Sequence, residues 1–263
     1  MTPMDETERV ASYEEIELGQ LATGLAAHLS RARRRGVKRL AARPAPAVSA
    51  GPRAVVATPQ APRHAAPEGP DERIRRLASA AGDLESLATL VAGCEACSLC
   101  QTRSQTVFGE GHPKARVMFV GEAPGFHEDR LGRPFVGDAG GMLDRIITKG
   151  MGLARGDLYI ANILKCRPPE NRDPSALEKT LCTGWLQRQI ELVNPEVLIP
   201  LGRHAAGHLL QRDDSMGKMR ARVHHLAGRK IVPTYHPAYL LRTPSAKKDC
   251  WKDIQRAMAE VDG

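Results

Sequence analysis

The sequence predicts an α/β fold of three layers, in which a central, mainly parallel sheet of four strands lies between two layers of helices. Two observations predict this fold: short apolar runs with the length of buried strands, and longer helix-like segments between them. The runs expected to form strands lie at residues 117–121, 158–162, 197–202 and 230–235. Helices are expected near residues 139–151, 174–193, 203–211 and 245–261. Strands that alternate with helices indicate a parallel sheet covered on both faces.

Glycines and polar residues stand where these strands end. Gly121 closes the first run, Asn162 the second and Gly202 the third, while His236 follows the fourth. The carboxyl ends of parallel strands meet at one edge of the sheet, where α/β proteins bind their ligands. The sequence therefore predicts a ligand site built from the loops at this edge.

Charge and composition narrow the class of partner. The chain of 263 residues carries a formal net charge of +8, which favours nucleic acid as a polyanionic partner, with solubility alone as the alternative. No apolar run is long enough to span a bilayer, and the acidic N-terminus lacks a secretory signal. We therefore expect a cytoplasmic protein. In that compartment the six cysteines favour a metal site or catalysis over disulfides.

The N-terminal part of the chain differs from the rest. Between residues 31 and 67 arginine, lysine, proline and alanine dominate and no acid occurs. Residues 1–80 are expected to form a basic, largely disordered extension, with a possible helix near residues 5–30, because they offer too little apolar surface for a core. The extension either adds non-specific phosphate contacts or is a plain tether. The globular domain is expected at residues 84–263.

The loop after the first strand carries the first candidate motif. Gly121-Glu-Ala-Pro-Gly125 makes a tight turn whose backbone amides can face a ligand. Glu128 and Asp129 bring carboxylates to the same mouth, and Phe135 can stack on a flat ring. The alternative is an ordinary connecting loop with Phe135 packed in the core.

Two further motifs follow the second and fourth strands. Asn162 opens the segment Asn-Ile-Leu-Lys-Cys-Arg-Pro-Pro, and its side chain offers one acceptor and two donors, which suits reading the edge of a base. His236 stands in Tyr-His-Pro-Ala-Tyr-Leu-Leu-Arg and can donate a hydrogen bond to developing negative charge. The alternatives are an Asn that caps a turn and a histidine in a surface loop.

Four cysteines form a candidate metal site. Cys94 and Cys97 are a Cys-x-x-Cys pair, Cys166 lies in the second motif and Cys182 in the next helix. Four thiolates can hold a [4Fe–4S] cluster or a zinc ion. Cys100 also forms a Cys-x-x-Cys pair with Cys97 and can replace Cys94.

In their order along the chain, these segments resemble the family-four uracil-DNA glycosylases, the iron–sulfur branch of the uracil glycosylase superfamily. The resemblance runs from about Cys94 to Trp251. It implies a uracil-DNA glycosylase-like fold and a monomeric enzyme of base excision repair. Such an enzyme hydrolyses the N-glycosidic bond of uracil in single- or double-stranded DNA, which releases uracil and leaves an abasic site.

The resemblance also implies roles for single residues. The turn with Gly121, Glu122, Ala123 and Gly125 shapes the uracil pocket, and Phe135 stacks on the base. Asn162 binds the uracil edge, His236 donates to its carbonyl oxygen, and Glu128 places or activates water. The implied cofactor is a [4Fe–4S] cluster, held by Cys94, Cys97, Cys166 and Cys182.

The segment after His236 is expected to contact DNA through Leu240, Leu241, Arg242 and Lys247. An apolar tip can wedge into the base stack while cations hold phosphates. Which leucine enters stays open, and the alternative is that both pack under the last helix.

Three other functions compete with uracil excision. One is the relative that bonds covalently to DNA through a histidine, but residues 166–181 contain none. The others are a catalytically inactive iron–sulfur nucleic-acid-binding domain of the same fold and a zinc-bearing structural domain.

Overall fold

The structure, a computed structural model, describes residues 69–262. The disorder expected up to residue 68 and the helix expected near residues 5–30 lie outside the described residues. Within residues 69–262, no helix combines the length and apolarity that crossing a bilayer requires.

In the described part of the chain, six strands form one sheet with the order β1-β3-β2-β4-β6-β5. They are β1 (Glu110–Gly111), β2 (Val117–Gly121), β3 (Tyr159–Asn162), β4 (Val197–Pro200), β5 (His224–Leu226) and β6 (Arg229–Ile231). The four inner strands pair in parallel, as the sequence predicts. The edge strands β1 and β5 pair antiparallel and were not predicted, because they are only two and three residues long and have no buried face.

The helices lie before, between and after these strands. They are α1 (Pro70–Ala80), α2 (Leu84–Ala92), α3 (Phe126–Leu131), α4 (Asp138–Arg145), α5 (Ala176–Val193), α6 (Gly202–Leu210), α7 (Met216–Met219), α8 (Pro237–Arg242) and α9 (Lys247–Asp262). A π-helical segment, Ile146–Met151, continues α4. The predicted helices correspond to α4 with this segment, α5, α6 and α9.

Both faces of the sheet are covered, which gives the three layers that the sequence predicts. On β2, Val117 and Phe119 belong to a buried cluster with side chains of α4 and α9. Met118 and Val120 point to the opposite face and share a cluster with side chains of α5 and α6. This alternation follows from the two-residue period of a strand, and it explains why β2 is apolar at every position.

The folded domain begins earlier than the expected boundary at residue 84. Helix α1 packs on α5, where Ile74 and Ala78 are buried beside Trp185. Gly184 permits this approach, because a Cβ there would lie 3.0 Å from Ile74 Cγ2 and 3.3 Å from the Arg75 nitrogen. The expectation of a disordered segment up to residue 80 is therefore wrong for α1.

A capping box fixes the start of α5, the helix that carries Cys182. The Ser175 hydroxyl accepts a hydrogen bond from the Glu178 amide (3.2 Å), and the Glu178 carboxylate accepts one from the Ser175 amide (2.8 Å). These contacts satisfy two backbone donors that a helix start leaves without partners. The helix therefore begins at Ala176, two residues later than predicted.

Candidate active site

A pocket of about 550 Å³ opens at the carboxyl edge of the inner strands. The loops after β2 and β3 and the start of α8 form its walls. The predicted site residues that line it are Glu122, Ala123, Gly125, Glu128, Phe135, Asn162 and His236. Residues from three distant segments of the chain thus meet at the predicted edge of the sheet.

Gly121 lies between the two pocket residues Asn162 and Phe135. A Cβ at position 121 would lie 2.2 Å from Asn162 Oδ1 and 2.6 Å from Phe135 Cζ. Any larger residue would therefore displace the carboxamide or the aromatic ring. Glycine is required here by space, since Gly121 is not among the residues with a positive φ.

The side chain of Asn162 carries an unsatisfied acceptor. Asn162 is only 2% exposed, and among the described residues no donor reaches its Oδ1. A buried polar atom without a partner costs free energy, which a ligand N–H directed at it would recover. The alternative interpretation, in which the Asn162 side chain caps a turn, requires a hydrogen bond that Oδ1 does not make.

Phe135 is both a core residue and a pocket residue, so each of the two expectations for it is partly correct. Its ring belongs to a buried core cluster and also lines the pocket, 5.7 Å from the ring of His236. Its backbone has a φ of 52°, in the left-handed region that side chains with a Cβ rarely adopt. Backbone strain of this kind concentrates at functional sites, where the surrounding structure holds it in place.

The two neighbouring carboxylates of α3 point in different directions. Glu128 lines the pocket, and its Oε1 accepts hydrogen bonds from the amides of Val136 (3.1 Å) and Gly137 (3.5 Å). Asp129 is buried, and its two carboxylate oxygens share the single N–H of the Ser104 amide, so it holds a loop instead of facing the pocket. The expectation that both carboxylates reach the mouth is correct only for Glu128.

His236 is held in one neutral form. Its Nδ1 accepts a hydrogen bond from the Ala238 amide (3.2 Å) at the start of α8, which leaves the proton of a neutral ring on Nε2. Burial and, to a smaller extent, the cation of Arg242 together lower the pKa of His236 to about 4, although Glu128 opposes the shift. The ring is therefore a neutral donor at ordinary pH.

The segment 168–173 forms a wall of the pocket that sequence reasoning did not assign. Pro168, Asn171, Arg172 and Asp173 line it. The available signal was a polar run, Glu-Asn-Arg-Asp, directly after two prolines in the second motif. A polar turn alone does not reveal which pocket it borders.

His204 of α6 lies between two carboxylates of the pocket. Its Nδ1 is 3.9 Å from Glu122 Oε1, and its Nε2 is 3.5 Å from Asp173 Oδ2. Burial raises the pKa of Glu122, the charge of Asp173 raises it further, and His204 opposes the shift. Glu122 therefore takes up a proton more readily than an ordinary glutamate.

Four cysteines line a second, smaller cavity. Cys94, Cys97, Cys166 and Cys182 all contribute to it, together with Arg103 and Trp185. Arg103 Nη1 donates to Cys166 Sγ (3.1 Å), and the Lys165 amide donates to Cys182 Sγ (3.3 Å). Cys100 does not line this cavity, and Cys250, on α9, is buried in the core.

The spacing of the thiols argues against a single metal ion. Among the described residues, one set of three potential metal-binding side chains has its donor atoms within 4.8 Å of one another. It consists of Glu122, Asp173 and His204 and contains no cysteine. No three of the cysteine thiols come that close. Thiolates around one zinc ion lie roughly 4 Å apart, since each Zn–S bond is about 2.3 Å. Four thiols around one cavity are a donor set that suits a four-thiolate group.

The residues expected to contact DNA separate into buried and exposed ones. Leu240 is only 1% exposed and packs in the core, so its assignment to a DNA contact is wrong. Leu241 is 40% exposed, and Arg242 and Lys247 are also exposed. The alternative that both leucines pack under α9 is thus correct for Leu240 alone.

A buried, unpaired acceptor near an aromatic ring, with a neutral histidine donor in the same pocket, suits an enzyme that binds a flat, uncharged ring and stabilises negative charge on it. Comparison with protein families agrees with this class, because the model of the uracil DNA glycosylase superfamily matches residues 108–255. The chain belongs to this superfamily.

Curated relatives refine the comparison. The chain is 43% identical over 182 residues to the type-4 uracil-DNA glycosylase of Saccharolobus solfataricus, covering 66% of this chain and 84% of the relative. The type-4 uracil-DNA glycosylase of Thermotoga maritima is 41% identical over 182 residues, covering 68% and 94%. A type-5 uracil-DNA glycosylase of Pyrobaculum aerophilum is 34% identical over 149 residues, covering 49% and 64%.

Proposed function

We propose that this protein excises uracil from DNA by hydrolysing the N-glycosidic bond, which leaves an abasic site for base excision repair. The observation that carries the proposal is that the buried, unpaired Oδ1 of Asn162 and the Nε2 proton of His236 belong to side chains lining the same pocket. This pair offers one acceptor and one donor to a single ligand edge. Uracil presents the complementary pair, an N–H next to a carbonyl oxygen.

Recognition begins when the target base leaves the duplex stack and enters the pocket. Phe135 stacks on the base, and Asn162 Oδ1 accepts its ring N–H. Cytosine has an acceptor at that ring nitrogen, so two acceptors would then face each other without a proton. An unpaired buried acceptor of this kind disfavours cytosine.

Bond cleavage places negative charge on the departing base and positive charge on the sugar. The Nε2 proton of His236 donates to the uracil carbonyl oxygen, and this hydrogen bond strengthens as charge develops. Glu128 supplies a carboxylate that stabilises the cationic sugar and orients the attacking water. The amides of Val136 and Gly137 hold that carboxylate in place.

We also propose that Cys94, Cys97, Cys166 and Cys182 hold a [4Fe–4S] cluster. When bound, the cluster joins the segment after α2 to α5 by metal–thiolate bonds, and it takes no part in the hydrolysis. The same chain segment runs from Asn162 to Cys166, so the cluster also steadies the residue that binds the base.

Contact with DNA, single- or double-stranded, is assigned to the exposed residues Leu241, Arg242 and Lys247. Leu241 enters the gap in the base stack, and the two cations bind flanking phosphates.

The test is incubation of the full chain with an oligonucleotide that contains one uracil, followed by alkali. We expect strand cleavage at the uracil position, also in the presence of a chelator that leaves the cluster intact. An oligonucleotide with thymine at the same position is the control. DNA binding without cleavage by chain that carries its full complement of iron would contradict the proposal and favour an inactive binding domain.

A further inference from the structure

A second groove lies between the π-helical segment and α9, and Leu240 of α8 also lines it. Its floor is apolar, and its rim carries Arg145, Lys149, Lys247 and Trp251. We call this the Trp251 groove, with a cavity volume of about 220 Å³. The apolar residues of its floor include Met142, Ile146, Leu240 and Ile254.

Trp251 is 44% exposed, although tryptophan is usually well buried. One edge of its ring rests over Gly150, where a Cβ would lie 3.4 Å from Trp251 Cζ3. The ring is thus supported from beneath and open to solvent elsewhere. A supported and open aromatic ring is the form that stacks on unpaired bases.

The surface around the ring is strongly positive. Five exposed cations belong to it: Arg145, Lys149 and Lys247 line the groove, and Lys248 and Lys252 lie near Trp251 in α9. Two of the nearby acids have partners elsewhere, since Asp144 pairs with Arg155 at 2.7 Å and Asp249 with Arg220 at 3.7 Å, while the exposed Asp138 lies at the pocket end of the cleft. This surplus of positive charge complements a phosphate backbone.

The groove is continuous with the uracil pocket. Arg145 also lines a shallow cleft that shares Phe135, Gly137 and Asp138 with the pocket. From Asp138 to Lys149 the helical chain advances about 16 Å, at about 1.5 Å per residue. A strand that leaves the pocket along α4 therefore reaches Trp251 within a few nucleotides.

We propose that the Trp251 groove binds the unpaired DNA strand that continues from the excised uracil. Trp251 stacks on one base, and Arg145, Lys149 and Lys247 contact the phosphates on either side of it. That the bound strand is substrate DNA rests on the proposed function. The groove itself, an aromatic face among cations, can bind a single strand whether or not the protein excises uracil. Duplex DNA keeps its bases stacked inside, so this site favours single strands.

The experiment measures binding without excision, using a uracil-free thymidine oligonucleotide of about 15 nucleotides, within the range of single-strand site sizes. Of the two tryptophans, Trp185 is 1% exposed and Trp251 is open, so a stacked base changes mainly the emission of Trp251. We expect the oligonucleotide to quench tryptophan emission. Trp251→Ala should weaken binding roughly 5- to 100-fold, the value of one stacked base.

Two further variants distinguish a loss of stacking or of charge from a loss of folding. Trp251→Phe keeps an aromatic face and should bind nearly as well as the wild type, even if Trp251→Ala unfolds. Lys149→Ala should reduce the slope of log affinity against log salt by about 0.7, the share of one phosphate on a single strand. Arg73→Ala, an exposed arginine on α1, should leave the slope unchanged.

Equal affinity of the wild type and a folded Trp251→Ala variant would overturn the proposal. Quenching by an acidic peptide or by anionic vesicles, with none by the oligonucleotide, would overturn it as well. Excision is scored separately on uracil-containing DNA. A chain that binds through Trp251 yet excises nothing would support the groove and contradict the proposed function.

Discussion

The buried ammonium of Lys165 donates a hydrogen bond to the backbone carbonyl of Asn162 over 2.7 Å. The same ammonium donates to Gln189 Oε1, and Gln189 Nε2 in turn donates to the Phe108 carbonyl at 2.9 Å. Lys165 is 1% exposed and precedes Cys166 in the chain. It therefore connects the backbone of the base-binding residue to α5 and to the cysteine site.

Lys165→Met should lower the single-turnover rate of uracil excision about 10- to 100-fold, because the carbonyl of Asn162 loses a charge-assisted hydrogen bond of roughly 1.5–3 kcal/mol. Iron content and visible absorption should stay at the wild-type level. The assay is single-turnover excision with a parallel measurement of the KM. Lys218→Met, on an exposed lysine of α7, is the control. A rate loss that only accompanies iron loss would contradict a positioning role.

Asn162→Ala and His236→Ala should each lower the excision rate by on the order of 10²–10³, the typical loss for one donor or acceptor that acts in the transition state. DNA affinity should change far less, because phosphate contacts supply most of it. Single-turnover kinetics and equilibrium binding separate the two effects. Wild-type rates in both variants would remove these residues from the site.

Excision should not show the decline near pH 6.5 that an ordinary histidine causes. Burial lowers the pKa of His236 to about 4, so across the neutral range the ring stays neutral and its Nδ1 keeps the hydrogen bond from the Ala238 amide that orients it; protonation at Nδ1 would break that bond. We expect the acid limb of the rate profile to fall near pH 4. His236→Ala should lack that limb. An acid limb of the wild type centred near 6.5 would contradict the assigned neutral form.

The lowered pKa of His236 also makes the free energy of unfolding depend on pH. In the unfolded chain His236 titrates near 6.5, whereas in the folded chain its pKa is about 4. Between these values the unfolded state binds more protons, so the contribution of His236 to stability is complete above pH 6.5 and is lost as the pH falls towards 4. Thermal unfolding of the wild type and of His236→Ala across this window should show the difference.

The sequence predicted the inner strands and the pocket residues because both depend on short-range patterns. A buried strand is a continuous apolar run, and the loop at its end is fixed by the topology of a parallel sheet. Helix α1 was missed because Arg73, Arg75 and Arg76 surround its few apolar residues. Its helical state depends on contact with α5, which no local pattern reveals.

The choice between Leu240 and Leu241 also depends on tertiary contacts. Two adjacent leucines are equivalent by composition, and only the orientation of α8 places one in the core and the other in solvent. The wall at residues 168–173 escaped assignment for the same reason. Its position follows from the two residues with positive φ, Glu170 and Asn171, which turn the chain towards the pocket.

The adjacent leucines form a matched pair for mutagenesis. Leu241→Ala should slow excision from duplex DNA more than from single strands and leave the melting temperature nearly unchanged, because an exposed side chain contributes little to the core. Leu240→Ala should cost about 2–5 kcal/mol of stability, as expected for a buried leucine. Thermal unfolding and excision from both substrates provide the comparison. The assignment of the wedge would be wrong if Leu241→Ala slowed both substrates equally.

The cysteines allow a comparison within one chain, since four of the six line a common cavity and two do not. Protein purified without oxygen should be brown and contain about four irons per chain, as a four-thiolate [4Fe–4S] site requires. Cys166→Ala and Cys182→Ala should lose the colour and lower the melting temperature. Cys250→Ala, on the buried face of α9, should keep the colour, so any loss of stability in this variant is independent of iron.

The decisive pair is Cys94→Ala and Cys100→Ala, because the sequence permits either residue to complete the Cys-x-x-Cys pair with Cys97. Cys94 lines the cavity with Cys166 and Cys182, and Arg103 donates a hydrogen bond to its carbonyl (2.8 Å). Cys100 follows in the 3₁₀ turn Ser98–Gln101 and does not line the cavity. We therefore expect Cys94→Ala to lose iron and Cys100→Ala to retain it, measured by iron analysis and visible absorption. The reverse result would exchange the two ligands, and zinc without iron in the wild type would contradict the cluster itself.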